Sequence, residues 1–200
     1  MQVTEAIQTR RSIKWYDADH AMPEVVFQNM MELAILSPTA FNIQNWRFVR
    51  VTDAEQRVAI RQVAWDQAQV TDASELLVLC FDNAAWSREP GRYWKHAPQE
   101  VQDILVPAIH DYYNGKPQVI RDEGMRSCGL VGYAIMLVAK ELGYDTCPMD
   151  GFDYQAVGKI INLPVDHDIA YMIAIGKGTK DPWPRPGQLA LEEVLINNSF

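Results

Sequence analysis

The chain has 200 residues, 48% of them apolar, and a formal net charge of −8 from 26 acidic against 18 basic side chains. That length supports one domain with a sizeable core rather than two, and the apolar share excludes a disordered chain. The acidic balance disfavours nucleic acid or an anionic membrane surface as a partner, because nothing offsets phosphate repulsion.

Met1 to Trp15 contains no apolar run of the kind that opens a secretory signal. Cys80, Cys128 and Cys147 are an odd number and all lie in apolar segments. Reduced, buried thiols in a cytoplasmic setting are therefore expected. Residues 3–9 suit one or two helical turns. Thr9-Arg10-Arg11-Ser12-Ile13-Lys14 then gathers three cations around a hydroxyl. Such a cluster is either solvated surface or an anion site, since guanidinium forks and a serine hydroxyl suit phosphate oxygens. Pro23 opens a helix at a position where its missing N–H costs nothing. Val25, Val26, Met30, Leu33, Ala34 and Leu36 keep helical spacing up to Ser37-Pro38. The loop from Ser37 to Trp46 is rich in short polar side chains and poor in charge, which suits either a plain connection or a flat, neutral, polar ligand. Arg47 to Val51 reads as a strand, and Asp53 can cap a helix over 54–65.

Leu76 to Phe81 is a β-rich apolar run expected as a buried strand. A helical pattern covers Tyr93–Tyr113 until Asn114-Gly115 and Pro117 break it. From Arg126 to Gly143 the spacing predicts a core helix, apolar on every side between Gly129 and Ala139, so either buried all round or shared with another subunit. The run is too short and too closely flanked by Arg126, Lys140 and Glu141 to cross a bilayer. Gly143 is placed to stop it in the left-handed conformation. A Pro/Gly-containing loop, Cys147-Pro148-Met149-Asp150-Gly151-Phe152, follows and can hold a ligand against rigid backbone. Asp153 can cap a further helix, and Ile169–Ile175 reads as a third strand. The tail carries Pro182, Pro184 and Pro186 and an apolar segment over 189–196 that has to be buried somewhere, for instance around another subunit.

Familiar catalytic side chains are missing. His20, His96, His110 and His167 are scattered, with no metal-ligand spacing, so no metal site is expected. Cys128 lies in the core helix and is expected to pack rather than react. Gly176-Lys177-Gly178 lacks the third glycine and the following helix of a dinucleotide fingerprint. An enzyme without an evident acid–base pair implies that a cofactor carries the chemistry.

Four blocks together resemble the nitroreductase family of flavin enzymes over nearly the whole chain: Arg10-Arg11-Ser12-x-Lys14; Ser37-Pro38-Thr39-Ala40-x-Asn42-x-Gln44-x-Trp46; Gln69-Val70-x-Asp72-Ala73-Ser74; and the apolar helix leading to Cys147-Pro148-Met149-Asp150-Gly151-Phe152. The resemblance implies a single α+β domain over 1–200, a central mixed or antiparallel sheet surrounded by helices with a buried core helix, and an intertwined homodimer. It implies FMN at two interface sites and NAD(P)H as electron donor. Carried over by position, Arg10 meets the FMN phosphate, Ser12 the phosphate or ribityl chain, and Lys14 the N1/O2 edge of the ring, with Arg11 in the same cluster. Pro38, Thr39 and Ala40 come from the other subunit. Asn42 and Gln69 reach the ribityl chain or ring edge. The segment Pro148, Met149, Asp150, Gly151 brings backbone to N5 and O4. Many relatives have Asn and Lys where this chain has Asp66 and Gln69, and a basic pair in the tail where it has Gly187-Gln188; Arg185 is the first candidate for the phosphate there and Lys177 the second. The implied reaction is a two-step transfer of hydride from NAD(P)H to a nitroaromatic, quinone or enone. The competing reading is a flavin-binding module that stores FMN without turnover.

Overall fold

The computed structural model describes residues 1–200 and contains four strands and eight helices. In chain order these are α1 (Val3–Thr9), α2 (Glu24–Ala34), β1 (Trp46–Arg50), α3 (Ala54–Gln62), α4 (Gln69–Asp72), β2 (Glu75–Asp82), α5 (Gln99–Tyr113), α6 (Pro117–Glu141), β3 (Asp145–Met149), α7 (Tyr154–Ile160), β4 (His167–Gly176) and α8 (Leu191–Val194). Short 3₁₀ turns lie at Ala40–Asn42 and Pro90–Trp94. The fold is α+β. Its sheet has the order β1-β2-β4-β3 and is antiparallel throughout.

Every residue of β2 is buried. Both faces of the strand are covered, so its sequence is continuously apolar from Leu76 to Phe81 instead of alternating. On one face Leu77, Leu79 and Phe81 pack with Met30 of α2 and Val131 and Ile135 of α6. On the other, Val78 and Cys80 pack with Ile60 of α3, Val70 of α4 and Val157 of α7. Asp53 caps α3 through Gln56 N–H (2.7 Å) and Asp153 caps α7 through Ala156 N–H (2.9 Å), as their sequence positions predict.

Two sequence expectations need correction. The stretch after the core helix is not a loop: Asp145–Met149 is a fourth strand, paired with β4 on one side and bridged on the other only at Thr146, by Ser12. Pro148 is tolerated there because the strand is at the sheet edge. The core helix starts at Pro117 rather than Arg126, with the proline in the first turn where no N–H is needed. In the single chain Cys128, Val131, Ile135 and Ala139 are fully enclosed while Leu130 is 50% and Tyr133 42% exposed, which accords with the second of the two expectations for this helix, a face shared with another subunit. Its end matches expectation. Gly143 has φ +78°, its N–H donates to Lys140 O (3.1 Å), and Tyr144 N–H reaches back to Ala139 O (2.8 Å), the paired bonds of a Schellman cap.

α6 crosses the sheet by means of glycines. A Cβ on Gly132 would overlap the hydroxyl of Tyr171, which donates to Cys128 O at 3.1 Å. Gly132→Ala is expected to destabilise the fold by about 1–3 kcal/mol through overpacking, outweighing a helix-propensity gain of about 1 kcal/mol. A lowered urea midpoint would show it; an unchanged one would mean Tyr171 moves freely. All three cysteines are free and buried, and burial pushes the Cys80 and Cys128 thiols up to about 12, as packing residues require.

Candidate functional site

The first wall of the site is the extended segment after α1. Ile13 is buried, and its N–H donates to Thr146 O of β3 at 3.0 Å, while Ser12 forms a parallel bridge with Thr146. The alternation of extended chain then turns Ser12 and Lys14 outward. The second wall is the tail. Asp17 N–H donates to Lys177 O (2.9 Å) and Thr179 N–H to Trp15 O (3.0 Å), which delivers the proline-rich stretch across residues 10–15. Between the walls lies a cavity of about 470 Å³, lined by Arg10, Arg11, Ser12 and Lys14 on one side and by Trp183 and Arg185 on the other.

No carboxylate lines this cavity. Arg47, Arg50, Arg61, Arg88, Arg126 and Lys140 each hold an acidic partner elsewhere on the chain; Arg10, Arg11, Lys14 and Arg185 hold none. Arg10 Nη1 is buried without any hydrogen-bond partner. A buried guanidinium nitrogen left unpaired is costly unless a ligand completes it. Arg185 commits only Nη2, to Gln8 O and Arg10 O at 3.2 Å each, at the C-terminal end of α1. Arg11 Nη2 donates to Trp183 O and so ties the tail down. The arrangement suits a small polyanion, and in a chain of net charge −8 it is a local reversal of sign.

β3 continues the site beyond the cations. Burial raises the Cys147 pKa, while the charges of Lys14 and Arg10 and the side chain of Gln69 act against that rise. Gln69 is only 3% exposed. Its Nε2 donates to Gln67 Oε1 (2.9 Å), and Gln67 Nε2 donates to Gly151 O (2.9 Å). The N–H groups of Asp150 and Gly151 donate to no group of the chain, leaving two adjacent backbone donors for a ligand.

Several expected site residues lie apart from this cavity. Pro38, Thr39, Ala40 and Asn42 sit in the turn before β1, where Thr39 Oγ1 accepts from Gln44 N–H (3.0 Å) and Asn42 Nδ2 donates to Tyr93 O (3.1 Å). That turn is strained: Phe41, Asn42 and Gln44 have φ of +51°, +55° and +41°. Lys177 also points elsewhere, with Nζ on Gly143 O (2.5 Å) and 3.9 Å above the Tyr144 ring. The Met149 side chain is buried in the core, so only its backbone can face a ligand. Two residues at the site escaped the sequence reading. Gln67 is one. Trp65 is the other: it and Asp66 have φ of +54° and +52°, and its ring comes within 2.5 Å of where a Gly151 Cβ would stand. Local sequence gives no sign of either, because both act on a residue far along the chain.

Asp82, Asp166 and His167 also converge. Arg47 (3.0 Å) and Arg88 (2.9 Å) already hold Asp82, and His167 Nδ1 lies 2.7 Å from Asp166, so the cluster is an ion-pair network at the ends of β2 and β4. No helix is long and apolar enough to cross a membrane.

The model of the nitroreductase family matches residues 7–177. The chain belongs to the nitroreductase family. It is 46% identical to Protein DrgA of Synechocystis over 200 residues, covering 98% of this chain and 95% of that protein. It is 31% identical to a Thermus thermophilus protein named NADH dehydrogenase, covering 94% and 91%. A crystal structure from Exiguobacterium sibiricum, described as a nitroreductase in complex with FMN, superposes with a TM-score of 0.89 at 27% identity, covering 98% of this chain and 97% of that one.

Proposed function

We propose that this nitroreductase-family chain is an FMN-dependent oxidoreductase, taking hydride from NADH or NADPH and passing it to a nitroaromatic, quinone or enone. The observation that carries the proposal is the carboxylate-free cavity with four unpaired cations and a buried, unpartnered Arg10 Nη1. A phosphomonoester dianion meets that donor set. Arg10 and Ser12 hold the phosphate, and the free nitrogens of Arg185 stand behind it. Arg11 keeps the tail closed over the site. Lys14 lies at the N1/O2 edge, where a cation favours charge on the reduced ring. Gln69 and Asn42 serve the ribityl chain or ring edge, and the free N–H groups of Asp150 and Gly151 face N5 and O4. When bound, FMN supplies hydride transfer, so no protein acid–base pair is required.

The remaining walls come from a second copy of the chain. Pro38, Thr39, Ala40 and Asn42 do not line the cavity of their own subunit, which fits their placement at the partner's flavin. Leu130 and Tyr133 on α6 and the apolar tail, with Leu191 65% and Val194 58% exposed, provide the apolar contact of an obligate homodimer. Tyr133 also shares a groove with Arg10 and Arg185, so this surface runs up to the phosphate cavity. Steady-state assays with NADH and NADPH against a panel of the three acceptor classes test the proposal. Turnover with at least one class, giving parallel double-reciprocal lines, is the expected result. Stoichiometric FMN without turnover of any acceptor would favour a storage module.

A further inference from the structure

We infer that Gln67 is a positioning residue for the redox centre: through its side-chain amide it locks the Gly151 peptide, and so aims the Asp150 and Gly151 N–H groups at the ligand. The inference rests on the flavin reading above, which places N5 and O4 at those groups. Glycine is the residue whose backbone wanders most freely, and Gly151 has no Cβ to hold it in place. Three contacts restrain it instead. Gln67 Nε2 donates to Gly151 O at 2.9 Å, the Trp65 ring closes over the Cα, and Asp153 N–H donates to Val63 O at 2.9 Å just beyond. The first fixes the Gly151–Phe152 peptide, whose N–H in turn donates to Asp150 O at 3.2 Å, the carbonyl of the peptide that carries the Gly151 N–H.

The Gln67 amide cannot flip without loss. Its Oε1 accepts from Gln69 Nε2 at 2.9 Å, and a flip would set an NH₂ against that donor and an oxygen against the Gly151 carbonyl. Gln69 is held in turn by burial. The relay therefore runs from the core through two neutral amides to the carbonyl of Gly151. Neutral amides suit this task because neither end changes protonation with pH. The restraint is of the kind that preorganises donors where charge develops and needs no reorganisation during reaction. The strained pair Trp65-Asp66, both in the left-handed region, presents the Gln67 side chain from a short loop. Backbone strain of that kind persists where the surroundings over-determine it.

Gln67→Met keeps the length of the side chain and removes both hydrogen bonds. Gln67→Glu keeps the acceptor for Gln69 and sets a carboxylate against Gly151 O. Three readouts separate positioning from mere structure. The first is amide hydrogen exchange across 150–152 in protein freed of FMN, expected to speed at least tenfold in both variants at Phe152, whose N–H donates to Asp150 O at 3.2 Å. The second is the rate at which NADH or NADPH reduces the bound flavin in a single turnover, expected to fall at least tenfold, with Gln67→Glu no better than Gln67→Met. The third is FMN affinity, expected to stay within about threefold of the parent because the phosphate contacts are intact. Unchanged exchange at 150–152 with an unchanged reduction rate would overturn the inference, even if both variants melt earlier. A parent protein that binds no FMN would instead remove the flavin reading, and the exchange data on the same protein would still decide whether Gln67 holds Gly151.

Discussion

Arg10→Ala is expected to weaken FMN binding roughly tenfold to a hundredfold while riboflavin binding stays within about twofold of the parent. The substitution removes a charge-assisted contact worth about 1.5–3 kcal/mol, and each 1.4 kcal/mol or so is a factor of ten. Riboflavin has no phosphate and so makes no such contact. Arg10 matters more than its neighbours because its Nη1 is buried and unpartnered, whereas Arg11 is occupied with Trp183 O and Arg185 with the end of α1. Lys14→Ala should behave differently. Both flavins should lose affinity, and the bound flavin should become harder to reduce, because the cation opposing charge at N1 is gone. Titration of the two apo-proteins with FMN and riboflavin checks the pair. Unchanged FMN affinity in both would return residues 10–14 to solvated surface.

Leu130→Asp is expected to break the dimer and to release FMN with it. In the isolated chain Leu130 is half exposed, and a surface change of this kind alters folding stability by only about 0.5 kcal/mol. In an isologous interface the change appears twice, and each carboxylate must leave water. At about 3 kcal/mol or more for each of the two buried charges, the dimer dissociates on the order of ten-thousandfold more readily. The flavin follows because Pro38, Thr39, Ala40 and Asn42 then no longer reach it. Light scattering at low micromolar concentration, with FMN absorbance read on the same sample, checks both halves. A variant that stays dimeric, or a monomer that keeps FMN, would contradict the interface proposed for α6.

The cations at 10, 11 and 14 were legible in the sequence because residues close together in the chain stay together on one extended segment, and a basic cluster stands out against net negative charge. Both helix caps and the Gly143 stop were legible for the same local reason. The strand Asp145–Met149 was not, since five residues with a proline carry little pattern and its pairing depends on Ala174 and its neighbours in β4. The first turns of α6 were hidden by Gln118, Arg121, Asp122 and Glu123, whose polarity resembles a loop until the packing of Gly124 against Phe81 is seen. Nothing local marks Gln67, whose role is a hydrogen bond to a residue 84 positions away. The apolar tail was expected to need a cover, and in the single chain Leu189 to Ile196 remain largely exposed.

The central claim is that the basic cavity beside β3 holds FMN, and the most direct measurement is the flavin content of the purified protein. Denaturation should release one FMN per chain into the supernatant, identified by its absorbance and by its conversion to riboflavin with phosphatase. A colourless protein that takes up no FMN on reconstitution would contradict the account.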